Sequence, residues 1–572
     1  MENNLLHYIY EKSLLEDQDN FIYFMDRKRK YTKYSYADIW NEGLKYASFF
    51  KEKGIQEGEV VSVILQTSIE FIGTFLGIQM IGATPVSLYP PMGLSAMQEW
   101  LENTKEMINS VDSRYVITEK KIKTFIEDKG ANFTIIDSKK ASRHLKKLQI
   151  NLNNFQDSDL CFLQFSSGTT MAPSPVMISH RNAVLNAKAI LNSLDLQEDL
   201  VTVSWLPMYH DMGLVGALIT SIVSGGKLIL INSKDFIRKP QLWFQAISDH
   251  CANATVAPNF AYGLSVKRVT DKMMEGVTLS SLKYSLCGAE VIYKETMEKF
   301  IHKFSPYGLQ EKALTPVYGM AEATLAVTFS SFDSPIKWIQ VDEKKLRQKE
   351  IVESKKGIYI CSVGKPIQQV SVFIKDSKGE ILSEKKVGRI FISGPSVTQG
   401  YYKDQKKTEK TLTGSLLDTG DEGFMHQGSL YICGRFKDTI IIRGKNYYPT
   451  VLEEAIYKLP EIREGRVSVS SIANAQKDTE ELVIFAELKS ESLLKDSQVI
   501  QQKIKEIVGL KSSLVPLFIE LLSPGTLPKT SSGKIKRRQT VIQWQNNELH
   551  KKIKLNFFEK IKLFIKTYQA MS

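Results

Sequence analysis

Through the first three hundred residues, short β-branched runs alternate with longer amphipathic stretches, and this rhythm limits the available folds more than any other feature. RYVITE, FTIID, CFLQF, VTVSWLP, KLILI and LKYSLCG read as strands, and HRNAVLNAKAILNSL as an intervening helix. Strands separated by helices build stacked α/β layers on mostly parallel sheets. The run from Phe71 to Trp100 lacks charge until Glu99, but Gln79, Gly82, Pro90 and Pro91 interrupt it. It reads as a buried helix, SIEFIGTFLGIQMIGA, between the strands EVVSVILQ and TPVSLYP, not as the ~20 apolar residues of a membrane span. After about residue 357 the texture changes to strands separated by turns (VSVFIKD, GRIFISG, GSLYICG, TIIIRG), which predicts a small β-rich subdomain. A last α/β portion follows, with ELVIFAELKS and LFIELL as strands and SQVIQQKIKEIVGL as a helix.

With 572 residues the chain is too long for a single small module, and 43% hydrophobic against 24% charged residues suits a large buried core. No repeat of 20 to 50 residues is present. Five widely spread cysteines, Cys161, Cys251, Cys287, Cys361 and Cys433, form no CxxC pair and read as core thiols in a reducing compartment. The N-terminal stretch has no basic-then-apolar leader pattern, so a cytoplasmic location is expected. Net charge is +12, but residues 525–572 carry eleven Lys or Arg against two Glu. The body is therefore nearly neutral, which argues against nucleic acid as the partner.

The strongest local signal is CFLQFSSGTTMAPSPVMISHRN. A hydrophobic strand runs into Ser166, Ser167, Gly168, Thr169 and Thr170, then returns to a helix with Ser179 as its N-cap. Hydroxyls and free backbone N–H groups around a glycine can form a concave nest for phosphate oxygens. The GxxxxGK[ST] spacing of a Walker loop is missing. Further on come CGAE (287–290), YGMAEATL (318–325), TGDEG (419–423), GRFKDTIIIRGKNYYP (434–449) and LPKTSSGKIKRR (527–538). In content and order these six segments resemble the adenylate-forming superfamily of acyl-CoA synthetases, adenylation domains and luciferases. Within it the chain is most similar to the fatty acyl-AMP ligases, through WLPMYHDMGL (205–214), ATVAPNFAYGL (254–264) and YGMAE. A segment with 11 of 22 residues charged, 335–356, lies where those ligases carry an insertion that restrains lobe movement.

The resemblance implies an α/β fold: a large N-terminal lobe of stacked α/β layers, residues 1–436, with the β-rich subdomain at about 357–436. A smaller mobile α+β C-terminal lobe, 437–572, would carry the catalytic lysine loop and swivel at Lys437. It implies ATP and Mg²⁺, with Glu322 as the magnesium ligand. Ser166, Ser167, Gly168, Thr169 and Thr170 would hold phosphate; Ala289, Glu290, Tyr318, Gly319 and Met320 would line the adenine pocket. Asp421 and Arg435 match residues that contact ribose, and Lys534 matches the lysine that reaches the α-phosphate and the substrate carboxylate. His210 and Asp211, with Met212 and Gly213, would stand at the mouth of the acyl site, and MGLVGALITSIV could wall a tunnel or be ordinary core. The implied partners are a fatty acid and an acyl carrier protein. The rivals are a fatty acyl-CoA synthetase, an amino-acid-activating domain, and a silent homologue that only binds nucleotide or acyl chains.

One departure stands out. Where many relatives have PKG after the hydroxyl run, this chain has Pro173, Ser174 and Pro175, so the lysine that meets pyrophosphate is absent and Pro175 removes a backbone donor. The tail LHKKIKLNFFEKIKLFIK mixes apolar residues at helical spacing with six lysines. It could lie on an anionic membrane, meet an acidic carrier protein or pack on its own lobe.

Overall fold

A computed structural model of the chain describes residues 3–15, 21–91, 97–127, 133–166, 173–442, 445–474, 479–530 and 534–549. Two large sheets carry the body. In one, Lys227–Ile231, Val201–Ser204, Ala254–Ala257, Tyr284–Cys287 and Leu314–Gly319 lie side by side and parallel, with Phe21–Met25 and Tyr31–Ser35 at one edge. In the other, Thr134–Asp137, Tyr115–Thr118, Val60–Ile64, Thr84–Ser87 and Leu160–Phe165 are parallel and Pro175–Ser179 closes antiparallel. The β-branched runs fill strands buried on both faces: all five residues of Val60–Ile64 are buried. The uncharged run starts within the helix Ile69–Gln79, capped by Ser68, and continues through the strand Thr84–Ser87; no described helix is long and apolar enough to cross a membrane. Ser179 caps His180–Leu194 in a reciprocal box with Asn182.

The antiparallel strands of the β-rich segment continue the parallel sheet. Ala326–Phe329 pairs with Leu314–Gly319 on one side and with Ile358–Pro366 on the other, so the parallel sheet runs on into Ser429–Arg435, Leu416–His426, Gly388–Ser393 and Ser371–Lys375. The cysteines are not all core thiols. Cys161, Cys287 and Cys361 are buried, but Cys251 is exposed, because it takes the left-handed turn (φ 49°) after the helix Gln241–Asp249, and Cys433 is half-buried.

From Ile440 the chain forms its own core. Ile462–Asn474 and Thr479–Leu488 pair antiparallel, Phe518–Leu522 adds in parallel, and Leu452, Ile456, Ile500, Ile504 and Val508 cover the sheet from the helices Pro449–Tyr457 and Ser497–Ser512. Segment 335–356 is ordered too. Trp338–Val341 pairs with Ile358–Pro366, a short helix Glu343–Arg347 follows, and Ile339, Val341, Leu346 and Ile351 pack with Tyr448 and Val451 of the C-terminal portion.

Candidate active site

The candidate site is built where strand ends of the parallel sheet meet the antiparallel extension. After Tyr284–Cys287 the chain turns through Ala289, whose left-handed φ of 69° is uncommon for a residue with a Cβ. The turn aims Glu290 at the backbone: Phe260 N–H donates to Glu290 Oε1 at 2.5 Å. Burial pushes the Glu290 carboxyl above the usual range, although that bond and Lys534 oppose the rise.

Beside it, Leu314–Gly319 ends in YGMAEATL. Met320 N–H donates to Leu325 O, and a Cβ on Gly319 would lie 1.9 Å from that oxygen, so only glycine closes the loop. Thr324 (φ 68°, ψ −58°) sits in a γ-turn closed by Leu325 N–H to Ala323 O at 2.8 Å, a strained conformation that its hydroxyl holds by donating to Ser396 O. This rigid turn fixes Glu322, which is 9% exposed and accepts from Tyr401 Oη at 2.9 Å. Among the described residues it has no ion-pair partner.

Opposite lie Leu416–His426 and Ser429–Arg435, whose register sets Asp421 against Arg435. Tyr318 Oη donates to Asp421 Oδ2 at 2.6 Å, and Arg435 Nε stands 3.6 Å from Asp421 Oδ1. Burial, then the Asp421 charge, keeps the Tyr318 hydroxyl protonated. Burial lowers the Arg435 pKa, but Asp421, Asp438 and Glu322 outweigh it. Glu422, next in sequence, points the other way: it is fully buried, and Lys349 Nζ at 2.8 Å and the Thr439 hydroxyl at 3.0 Å satisfy it.

Lys534 comes from the C-terminal portion, on a turn in which Lys529 and Ile535 bridge and Lys534 N–H donates to the Thr530 hydroxyl at 3.0 Å. Half-buried, its ammonium feels groups from four separated segments: Arg435, Asp211, Asp421 and Glu290. Desolvation and then Arg435 lower its pKa below the ordinary lysine value, against the pull of the three carboxylates.

His210 and Asp211 follow Val201–Ser204 through a tight turn. His210 Nδ1 lies 2.7 Å from Asp211 Oδ1, which requires the proton on Nδ1; the Met212 N–H then has Asp211 Oδ1 at 2.7 Å as its acceptor. Burial raises the Asp211 pKa, but His210, the Met212 N–H and Lys534 bring it below the ordinary carboxylate range. A Cβ on Gly213 would lie 2.3 Å from Pro207 O, so glycine permits the turn. Met212–Ile219 is wound as a π-helix, a form concentrated at functional sites. It is buried except at half-exposed Gly216, which faces Leu325.

Of the residues singled out from sequence, Ser167, Gly168, Thr169 and Thr170 lie outside the described residues, as does the basic tail beyond Leu549. Ser166 is described: its N–H donates to Ser174 O at 3.0 Å at the base of the hydroxyl run. Ala289, Glu290, Tyr318, Gly319, Met320 and Glu322 fall on adjoining loops, and Asp421, Arg435, Asp211 and Lys534 converge on them. Lys437 is exposed in the turn Phe436–Asp438 between the two portions. Sequence reasoning missed Tyr401 and Lys407, which flank Glu322 and Ser174; no motif announced them.

The AMP-binding enzyme family matches residues 14–402, and the chain belongs to that family. FadD25 of Mycobacterium tuberculosis, which carries the name of a fatty-acid–CoA ligase, is 28% identical over 590 residues, covering 96% of this chain and 98% of its own. JamA of Moorena producens, a medium-chain-fatty-acid–[acyl-carrier-protein] ligase, is 28% identical over 542 residues, 90% of each chain. A solved structure from work on fatty acyl-adenylate ligases of E. coli and L. pneumophila superposes with a TM-score of 0.87 at 28% identity, over 95% of this chain and 98% of that one.

Proposed function

We propose that the chain uses ATP to convert a medium- or long-chain fatty acid to its acyl-adenylate, releasing pyrophosphate, and then passes the acyl group to the phosphopantetheine thiol of an acyl carrier protein. The observation that carries this reading is the convergence of Lys534 with Asp211, Asp421, Glu290 and Arg435. A fatty carboxylate is already ionised at neutral pH, so it needs no general base. One of its oxygens attacks the α-phosphorus, and the bond to the bridging oxygen breaks with its electron pair leaving on pyrophosphate.

The protein's task is to hold two anions in line and offset charge on the phosphoryl oxygens. Lys534 supplies a cation from the smaller portion, and the pair Asp421–Arg435, held by Tyr318, supplies donors and acceptors suited to ribose hydroxyls. Glu290, Ala289, Gly319 and Met320 would border the adenine. His210, its Nδ1 proton fixed by Asp211, stands with Met212 and Gly213 where the acyl chain would enter. Glu322 is a nearly buried hard-oxygen donor without an ion pair among the described residues, which fits Mg²⁺ sharing its remaining ligands with phosphate and water. When bound, the ion neutralises phosphate charge.

Transfer then requires attack of the carrier's thiolate on the acyl carbonyl, with AMP as leaving group, and a swivel at Lys437 between lobes 1–436 and 437–572. Segment 335–356 favours a carrier thiol over free CoA: Arg347 donates to Lys511 O at 2.7 Å and covers the Tyr447 ring at 4.8 Å, and Asn446 donates to Arg347 O at 3.0 Å. The acyl-CoA synthetase reading draws on the name of FadD25. Incubation with ATP, Mg²⁺ and C8 to C16 acids, with mass-spectrometric detection, tests both. Adenylate that reaches a holo-carrier but not CoA is expected; acyl-CoA formed as fast as adenylate supports the alternative, and absence of any adenylate overturns both.

A further inference from the structure

The missing phosphate-loop lysine leaves a question of charge. Pyrophosphate departs as a highly charged anion, and at the position where the cation is lost the chain offers only the Ser174 hydroxyl. In the fold, however, a lysine from a distant segment comes to that hydroxyl. Lys407 Nζ donates to Ser174 Oγ at 2.7 Å, across 233 residues of sequence.

The register that brings it there is built, not incidental. The chain from Thr398 to Tyr402 runs along Pro175–Ser179: Met177 N–H donates to Gly400 O at 3.0 Å, Tyr402 N–H to Pro175 O at 2.8 Å, and Val176 bridges Tyr401. Asp404 then caps the short helix Gln405–Thr411 by accepting from Lys407 N–H, and Tyr401 N–H is held by the Thr408 hydroxyl at 2.9 Å. The Lys407 ammonium consequently lies 4.0 Å over the Tyr401 ring, and the same tyrosine donates to Glu322. The ammonium, the ring and the carboxylate thus form one contiguous row from Ser174 to Glu322.

The chemistry of that row suits an anion. A lysine ammonium has three donors, and here the hydrogen-bond acceptor is a neutral hydroxyl. The ammonium is half-buried; desolvation lowers its pKa while Glu322 and Asp404 hold it up. A partly desolvated cation above an aromatic face, without a carboxylate ion pair among the described residues, is electrostatically under-compensated. Polyphosphate oxygens would complete it.

We propose that Lys407 binds the pyrophosphate end of the nucleotide, restoring from another segment the cation that Ser174 does not provide. This deepens, and for its catalytic consequence rests on, the adenylate-forming reading above. The residue would touch the β- and γ-phosphates of ATP and the departing pyrophosphate, and not AMP.

Isothermal titration of the full chain with ATP, AMP and inorganic pyrophosphate, each with Mg²⁺, tests it directly and without any fatty acid. Lys407→Met should weaken ATP and pyrophosphate about ten- to a hundredfold, as expected for a lost hydrogen bond to a charged group, and leave AMP within about twofold. Lys407→Arg should retain most of the affinity. Adding Ser174→Lys to Lys407→Met should recover pyrophosphate binding, because it returns the cation to the loop. Unchanged pyrophosphate affinity in Lys407→Met overturns the proposal, as does an equal loss for all three ligands with a lowered melting temperature, or failure of wild type to bind pyrophosphate. Failure of the adenylate-forming reading is recorded separately, as absence of acyl-AMP from a protein that still prefers ATP to AMP through Lys407.

Discussion

At the scale of single residues, charges of both signs gather around Lys534, the most informative member of the candidate site. Its ammonium is destabilised by burial and by Arg435, and rescued by Asp211, Asp421 and Glu290. A charge held this way is pre-oriented and needs little solvent reorganisation when a phosphate arrives. Lys534→Ala should lower the rate of acyl-adenylate formation about 10²- to 10³-fold, read by pyrophosphate release, while thioester formation from supplied acyl-AMP falls far less. The pH dependence has a definite sign. Lysine is the cation below its pKa, so adenylate formation should be sustained at neutral pH and fall as pH rises through a value below that of an ordinary lysine; a rate flat to the ordinary lysine range would contradict the role. The types of these residues were readable in the sequence, because Glu322, Asp421 and Lys534 sit in recognisable segments. Glu422 shows why type is not enough. It is adjacent to Asp421, yet the register break between Glu422 and Gly423 goes with its pointing into the interior, to Lys349 and Thr439.

At the scale of elements, strand positions followed from local pattern, since a β-branched run such as KLILI leaves few alternatives, and it occupies Lys227–Ile231 as expected. Winding was not legible: MGLVGALI is apolar on every side, so periodicity could not foretell a π-helix. Its half-exposed Gly216 gives a prediction. A Cβ at this position would meet Leu325 Cδ2 at 3.0 Å, so Gly216→Leu should push that side chain aside and shift the preference among C8 to C16 acids toward shorter chains, seen as a ratio of kcat/KM values; an unchanged ratio would mean that the face is ordinary core. In the C-terminal portion, the helix Arg537–Gln545 is tied down by Arg537. Its guanidinium pairs with Glu453 Oε2 and Asp438 Oδ2, each at 2.7 Å, joining the turn after Lys437 to the helix Pro449–Tyr457. Glu453 is almost wholly buried, so Arg537→Met would strand its charge. We expect about 3 to 5 kcal/mol lost from the unfolding transition that reports this portion, measured by urea titration with Trp544 fluorescence.

At the scale of the whole molecule, the decisive contacts join segments far apart in sequence, and no local pattern encodes them. Half the residues of the stretch 335–356 are ionised, yet its apolar minority packs against Tyr448 and Val451. The two portions also meet elsewhere: Lys267 pairs with Glu464, and Tyr293 meets the Tyr457 ring edge-on at 6.1 Å. If the smaller portion must swivel at Lys437 for transfer, fixing that residue's backbone with Lys437→Pro should damage thioester formation more than adenylate formation; equal damage to both would argue against a hinge there. The segment 335–356 makes the converse test. Arg347 holds Lys511 and Ser512 carbonyls and the Tyr447 ring, while Glu343 stands 3.8 Å from Lys511, so all these contacts break in any large swivel. They touch none of the groups around Lys534, and their removal should leave the first half-reaction nearly intact. Arg347→Ala combined with Asn446→Ala should therefore raise acyl-CoA formation from free CoA several-fold, with adenylate formation held within about twofold, both followed by mass spectrometry from one incubation. If CoA remains refused by the double variant, the restraint lies in the thiol's approach to the adenylate and not in the mobility of the smaller portion.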